Sequence, residues 1–76
     1  MVSYTLSSYY RLTQDGEFPA PCKADPYRVL RFSTDDIFTK DPENGSYTVH
    51  TGIAIFGIRL PDEMVEFVEK PVRLVG

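Results

Sequence analysis

The chain is poor in the residues that most often carry chemistry: one cysteine (Cys22), one histidine (His50) and no tryptophan among 76 residues. A single cysteine excludes an internal disulfide framework and a cysteine-based zinc site. No apolar stretch approaches the roughly 18 residues that a bilayer-spanning helix needs. The most apolar run, Gly52 to Leu60, is too short and carries Arg59. The opening MVSYTLSSYYRL has neither a basic start nor an apolar core, so no secretory signal is expected and the chain reads as cytoplasmic, with no membrane partner. Repeats and low-complexity tracts are absent, and no cofactor motif is present, so no cofactor is expected.

Positive charge is also scarce. The net charge is −3, and it is unevenly placed. Residues 1–34 carry Arg11, Lys23, Arg28 and Arg31 against Asp15, Glu17 and Asp25, a balance of +1. Residues 35–76 carry eight acids against Lys40, Arg59, Lys70 and Arg73, a balance of −4. Sequence-independent nucleic-acid binding draws its affinity from neutralising phosphates, so the acidic second half argues against it. The same half permits a basic protein partner.

The chain has room for one domain, 1–76, and its hydrophobic content of 42% supplies only a small core. Burial in so short a chain barely offsets the entropy of ordering it, and homo-oligomerisation is the cheapest remedy.

The patterning is that of strands. Tyr4, Leu6, Tyr10 and Leu12 fall on one face, with Ser3, Thr5, Ser7 and Arg11 on the other. Asp15-Gly16 is a turn signal. The three prolines of EFPAPCKADP exclude a central strand, because proline has no amide hydrogen for a ladder, and leave an extended loop or sheet edge. Tyr27 to Phe32 reads as a second strand. Ser33-Thr34-Asp35-Asp36 has the form of a helix cap with space for one turn, and Asp41-Pro42-Glu43-Asn44-Gly45 is the strongest hairpin turn in the chain.

From Ser46 to Leu60 the apolar positions change phase: Tyr47, Val49, Ile53 and Ile55 are odd, Phe56, Ile58 and Leu60 even, with Gly52 and Gly57 flanking the slip. A one-residue slip turns a buried face outward unless the strand bends or bulges, so the expectation is one bent strand serving two halves of a sheet. Pro61-Asp62-Glu63 opens a helix of two turns at most, with Val65 and Phe67 offering a strand as the competing reading; Val72 to Val75 is a short terminal strand. These elements predict a mainly β fold, a small five-stranded partly open barrel of SH3-like or OB-like shape with a short helix before the last strand. The alternative is an α+β arrangement, a four-stranded sheet with one helix.

No catalytic constellation emerges. Cys22 and His50 have no spacing that makes them a thiolate-imidazole pair, and Asp35, Asp36, Asp41 and Glu43 lack the spacing of a calcium loop, so neither an enzyme nor a metal site is expected. An enzyme would have to rest on His50 and Asp36. The ten aromatics are 13% of the chain. Most belong to a core, but Tyr9 lies on the polar face of the first strand beside Arg11 and close in sequence to Phe18. A large rigid ring suits a protein contact, so Tyr9, Arg11 and Phe18, together with the acids Asp35 and Asp36, are the candidate protein-binding residues. The leading expectation is a small non-catalytic interaction module: an accessory subunit, or an inhibitor or modulator of a host factor of the kind phages and mobile elements encode. The runner-up is a single-stranded nucleic-acid binder using Tyr9, Tyr27, Arg28 and Arg31.

Overall fold

The computed structural model describes residues 3–50 and 54–75. It contains nine strands among these residues: β1 (Ser3–Leu6), β2 (Tyr9–Leu12), β3 (Gly16–Pro19), β4 (Val29–Phe32), β5 (Phe38–Lys40), β6 (Tyr47–Val49), β7 (Ile55–Ile58), β8 (Val65–Val68) and β9 (Val72–Val75). They form a central five-stranded sheet in the order β7-β6-β5-β2-β8 and two two-stranded ribbons, β1-β9 and β3-β4, with antiparallel pairing throughout.

The mainly β class agrees with the sequence reading; the five-stranded barrel does not, because the expected strands near residues 27–32 and at Val72–Val75 pair in the two ribbons while Phe38–Lys40 and Val65–Val68 enter the central sheet. The edge strands β7 and β8 do not pair, so the sheet stays open. The expected helix after Pro61 is a single 3-10 turn, Asp62–Met64, and Val65 to Val68 continue as β8. Pro61 and two acids start a 3-10 turn as readily as an α-helix. What decides the continuation is distant pairing, with Leu12 opposite Val65 and Tyr10 opposite Phe67. The described residues contain no α-helix, which removes the α+β alternative and leaves no helix long and apolar enough to cross a membrane.

The bent strand is also corrected. In place of one bent strand there are two, β6 paired antiparallel with β7, with Val49 opposite Ile55 and Tyr47 opposite Ile58. Two steps along β6 therefore face three along β7, which is a β-bulge. Gly57 sits in it at φ 75, a left-handed conformation that a side chain resists. The change of phase runs from Ile55 to Ile58 through this bulge, while Phe56, expected with the inward even positions, is 70% exposed; Gly52 and Ile53 lie outside the described residues.

Local turn chemistry behaves as expected between β5 and β6. The Gly45 amide donates to the Asp41 carbonyl at 2.8 Å, Asp41 Oδ1 accepts from the Glu43 amide, Asn44 Oδ1 accepts from the Ser46 amide, and Gly45 takes φ 72. The Ser33–Asp36 segment caps no helix. Asp36 Oδ2 accepts from the Ser33 amide at 2.8 Å and the chain then enters β5.

The core comprises Leu12, Phe18, Phe32, Phe38, Tyr47, Val49, Ile58 and Leu60. Leu12, Phe38 and Tyr47 come from one face of the sheet, and the β3-β4 ribbon covers that face with Phe18 and Phe32. Phe38 and Ile58 are fully buried. Burial of each such side chain contributes about 1.5–3 kcal/mol.

Candidate interaction surface

Aromatic rings inside this core form a continuous chain. Phe18 stacks on Phe32 at 6.3 Å between centroids, Phe32 meets Phe38 at 5.2 Å, and Phe38 meets Tyr47 at 6.5 Å. Tyr47 then meets Tyr10 at 5.6 Å and Tyr10 meets Phe67 at 5.1 Å. Edge-to-face and tilted contacts of this kind are favourable beyond the area they bury. The chain begins under the β3-β4 ribbon and ends in the open, where Phe67 is 51% exposed. Strand alternation places Phe67 on the core face with Leu12 and Tyr10, yet it stays half-exposed at the sheet's β8 edge.

At this uncovered end lies a cleft of about 210 Å³ lined by Ser8, Tyr9, Tyr10, Thr39, Lys40 and Phe67. Lys40 stands over the Tyr47 ring, 5.5 Å from its centroid, with its ammonium 3.8 Å from the Asp62 carboxylate. Burial holds the Tyr47 phenol above its ordinary range, and the Lys40 charge partly opposes that shift. On the opposite face of the sheet Arg11 pairs with Glu66, directly across from it in the β2-β8 register.

Of the expected surface residues, Tyr9 is half-buried on β2 and lines the cleft, and Arg11 is exposed on the same strand. Phe18 requires correction as a surface residue. It is 6% exposed, because pairing with β4 sets it opposite Leu30 and turns Glu17 and Pro19 outward instead. Asp35 is exposed in the turn before β5. Asp36 is half-buried, its carboxylate occupied by the Ser33 amide. Phe67, which a helical reading of Pro61 to Lys70 placed on no particular face, is the residue that reasoning from sequence missed. The alternation of Val65 and Phe67 was the signal for it.

His50 and Cys22 belong to separate places. The His50 ring is hydrogen-bonded to the Tyr4 hydroxyl through Nδ1 and to the Thr39 hydroxyl through Nε2, each at 2.8 Å, and burial lowers its pKa. It lies on the face opposite Tyr47 and Val49 and is half-buried under Tyr4. Cys22 lines a shallow groove of about 170 Å³ with Ala20, Pro21, Arg28, Leu30 and Ile55. Among the described residues no group of three or more His, Cys, Asp or Glu side chains is placed to hold a metal ion.

Comparison of this chain with protein-family models, with curated proteins and with solved structures gives no match.

Proposed function

We propose that this chain is a small protein-protein interaction module, an accessory subunit or modulator of a larger protein, acting in the cytoplasm through the Tyr9-Phe67 end of its sheet. The observation that carries the reading is the chain of six rings that leaves the core and ends in a half-exposed Phe67 beside an open cleft. A ring already ordered by its neighbours loses little entropy on binding, and aromatic side chains in water-excluding pockets dominate protein interfaces. Tyr10 and Phe67 supply rings on one face of the sheet with Lys40 beside them, and Ser8, Tyr9 and Thr39 complete the lining.

The test is affinity capture from the source cell with the wild type and with a Tyr9→Ala, Phe67→Ser variant. A partner protein recovered by the wild type and lost from the variant is the expected result. Recovery of none, or equal recovery by both, overturns the reading.

A second reading, binding of single-stranded nucleic acid, draws support from the same rings, since bases stack on aromatics beside a cation such as Lys40. Opposing it are Asp62, Glu63, Glu66 and Glu69, which surround this end of the sheet. A filter-binding titration at low salt decides between the two, because phosphate-driven binding weakens steeply as salt rises.

A further inference from the structure

The five-stranded sheet has two edges, and they differ. At the β7 edge the Gly57 bulge breaks the ladder, and Pro21 approaches to within 3.6 Å of where a Gly57 side chain would start. Bulges of this kind protect an edge from further pairing. At the β8 edge the register with β2 is unbroken over four residues, and no strand pairs on the other side among the described residues.

The ladder also fixes which backbone groups face outward. The Thr13 amide donates to the Met64 carbonyl at 2.9 Å, so in an antiparallel pair Glu66 and Val68 address β2 while Phe67 presents its N–H and C=O to the open side. The Val65 amide is taken by the Asp62 carbonyl. Phe67 therefore offers a donor, an acceptor and a half-exposed ring at one position. Two of the acids around this edge have cations, Arg11 for Glu66 and Lys40 for Asp62. Glu63 and Glu69 are exposed, have no ion pair among the described residues, and stand one at each end of β8.

We propose that the free edge of β8 is completed by an extended segment of a partner protein in which apolar residues alternate with basic ones. This rests on the interaction-module reading and names its partner's chemistry. Main-chain hydrogen bonds to Phe67 set the register, the apolar residues pack against Val65 and Phe67 at the mouth of the cleft, and lysine or arginine meets Glu63 and Glu69. Charge selects this occupant over two others. A second copy pairing antiparallel through β8 would bring Glu63 of one chain toward Glu69 of the other, and nucleic acid would bring phosphates to the same acids.

The test is fluorescence anisotropy with a labelled synthetic peptide of alternating valine and lysine. Its controls are the same peptide N-methylated at alternate residues and a valine-glutamate counterpart. The valine-lysine peptide is expected to bind, with N-methylation and the exposed double change Glu63→Lys, Glu69→Lys each weakening it at least about tenfold. The Phe67→Ser protein, checked for its fold by circular dichroism, is expected to weaken binding by a similar factor. The valine-glutamate peptide is expected not to bind. Equal binding of the N-methylated peptide, equal binding to the charge-reversed protein, or no binding at all overturns the proposal. So does a dimer in sedimentation that Phe67→Ser dissociates, or salt-sensitive retention of an oligonucleotide. Loss of peptide binding with partner capture still dependent on Tyr9 and Phe67 removes this inference and leaves the interaction-module reading standing.

Discussion

The Tyr4 hydroxyl lies 2.8 Å from Nδ1 of His50, a residue 46 positions away along the chain, and the Thr39 hydroxyl meets Nε2 of the same ring. The two rings also meet edge to face, 6.0 Å between centroids. One imidazole thus ties the β1-β9 ribbon to β5 of the central sheet. In its neutral form the ring has one N–H and one lone pair, so one hydroxyl accepts from it and the other donates to it.

Burial lowers the His50 pKa below its ordinary value of 6.5, which makes this tie sensitive to acid. The unfolded chain takes up its proton near the ordinary value and the folded chain only below it, so between the two the unfolded state binds more protons. Stability is therefore full above that window and falls as pH drops through it. The melting temperature of the wild type should decline from about pH 7 toward about pH 5, and that of His50→Gln should decline less over the same window. Parallel curves for the two proteins would show that His50 titrates alike in both states.

Gly57 and Gly45 give a backbone prediction. Both hold positive φ, 75 and 72, and a Cβ at Gly57 would meet Pro21 at 3.6 Å, an ordinary contact. Gly57→Ala should therefore be destabilised by backbone strain alone, about 1–2 kcal/mol in urea denaturation. Gly45→Asn should lose less than Gly45→Ala, because asparagine visits the left-handed region more readily. Stability of Gly57→Ala within a few tenths of a kcal/mol of the wild type would mean that the bulge does not depend on glycine.

What the sequence made legible here was local. The Asp41 to Gly45 turn can be read within a few residues and is present in the structure; the alternation of Tyr4, Leu6, Tyr10 and Leu12 marks extended chain but not its division at Ser7-Ser8 into β1, which pairs with β9, and β2 of the central sheet. The phase slip was visible too, but a bent strand and a bulged strand pair leave the same trace in the sequence. Only the pairing of Val49 with Ile55 separates them. Phe18, expected at the surface, is buried, and Phe67, given no face, is half-exposed for the same reason. One is buried and the other exposed according to partners, Leu30 and Tyr10, that lie far off in sequence.

Tyr47 should ionise later than an ordinary phenol. Burial raises its phenol above the ordinary 10.0 while Lys40 lowers it, so removing the ammonium but keeping the alkyl cover, as in Lys40→Met, should push ionisation later still. The sign for stability follows: above the ordinary value the unfolded chain loses this proton first, so stability falls as pH rises. Phenolate absorbance against pH measures both effects. Ionisation of Tyr47 at the ordinary value, read from the difference between wild type and Tyr47→Phe, would contradict the burial of this ring.

Phe38 and Phe67 sit at different depths of one aromatic chain, and truncation should separate structure from surface. Phe38 is fully buried between Phe32 and Tyr47, so Phe38→Ala should cost about 3–5 kcal/mol, a large share of the 5–15 kcal/mol typical of a domain. Phe67 is 51% exposed and touches the chain through Tyr10, so Phe67→Ser should cost about 1 kcal/mol or less and leave the fold intact. Urea midpoints of the two variants give the comparison directly. A cost at Phe67 equal to that at Phe38 would make its ring part of the core, and loss of binding in that variant would then report on folding. A small cost makes Phe67→Ser a clean probe of what the open end of the sheet binds.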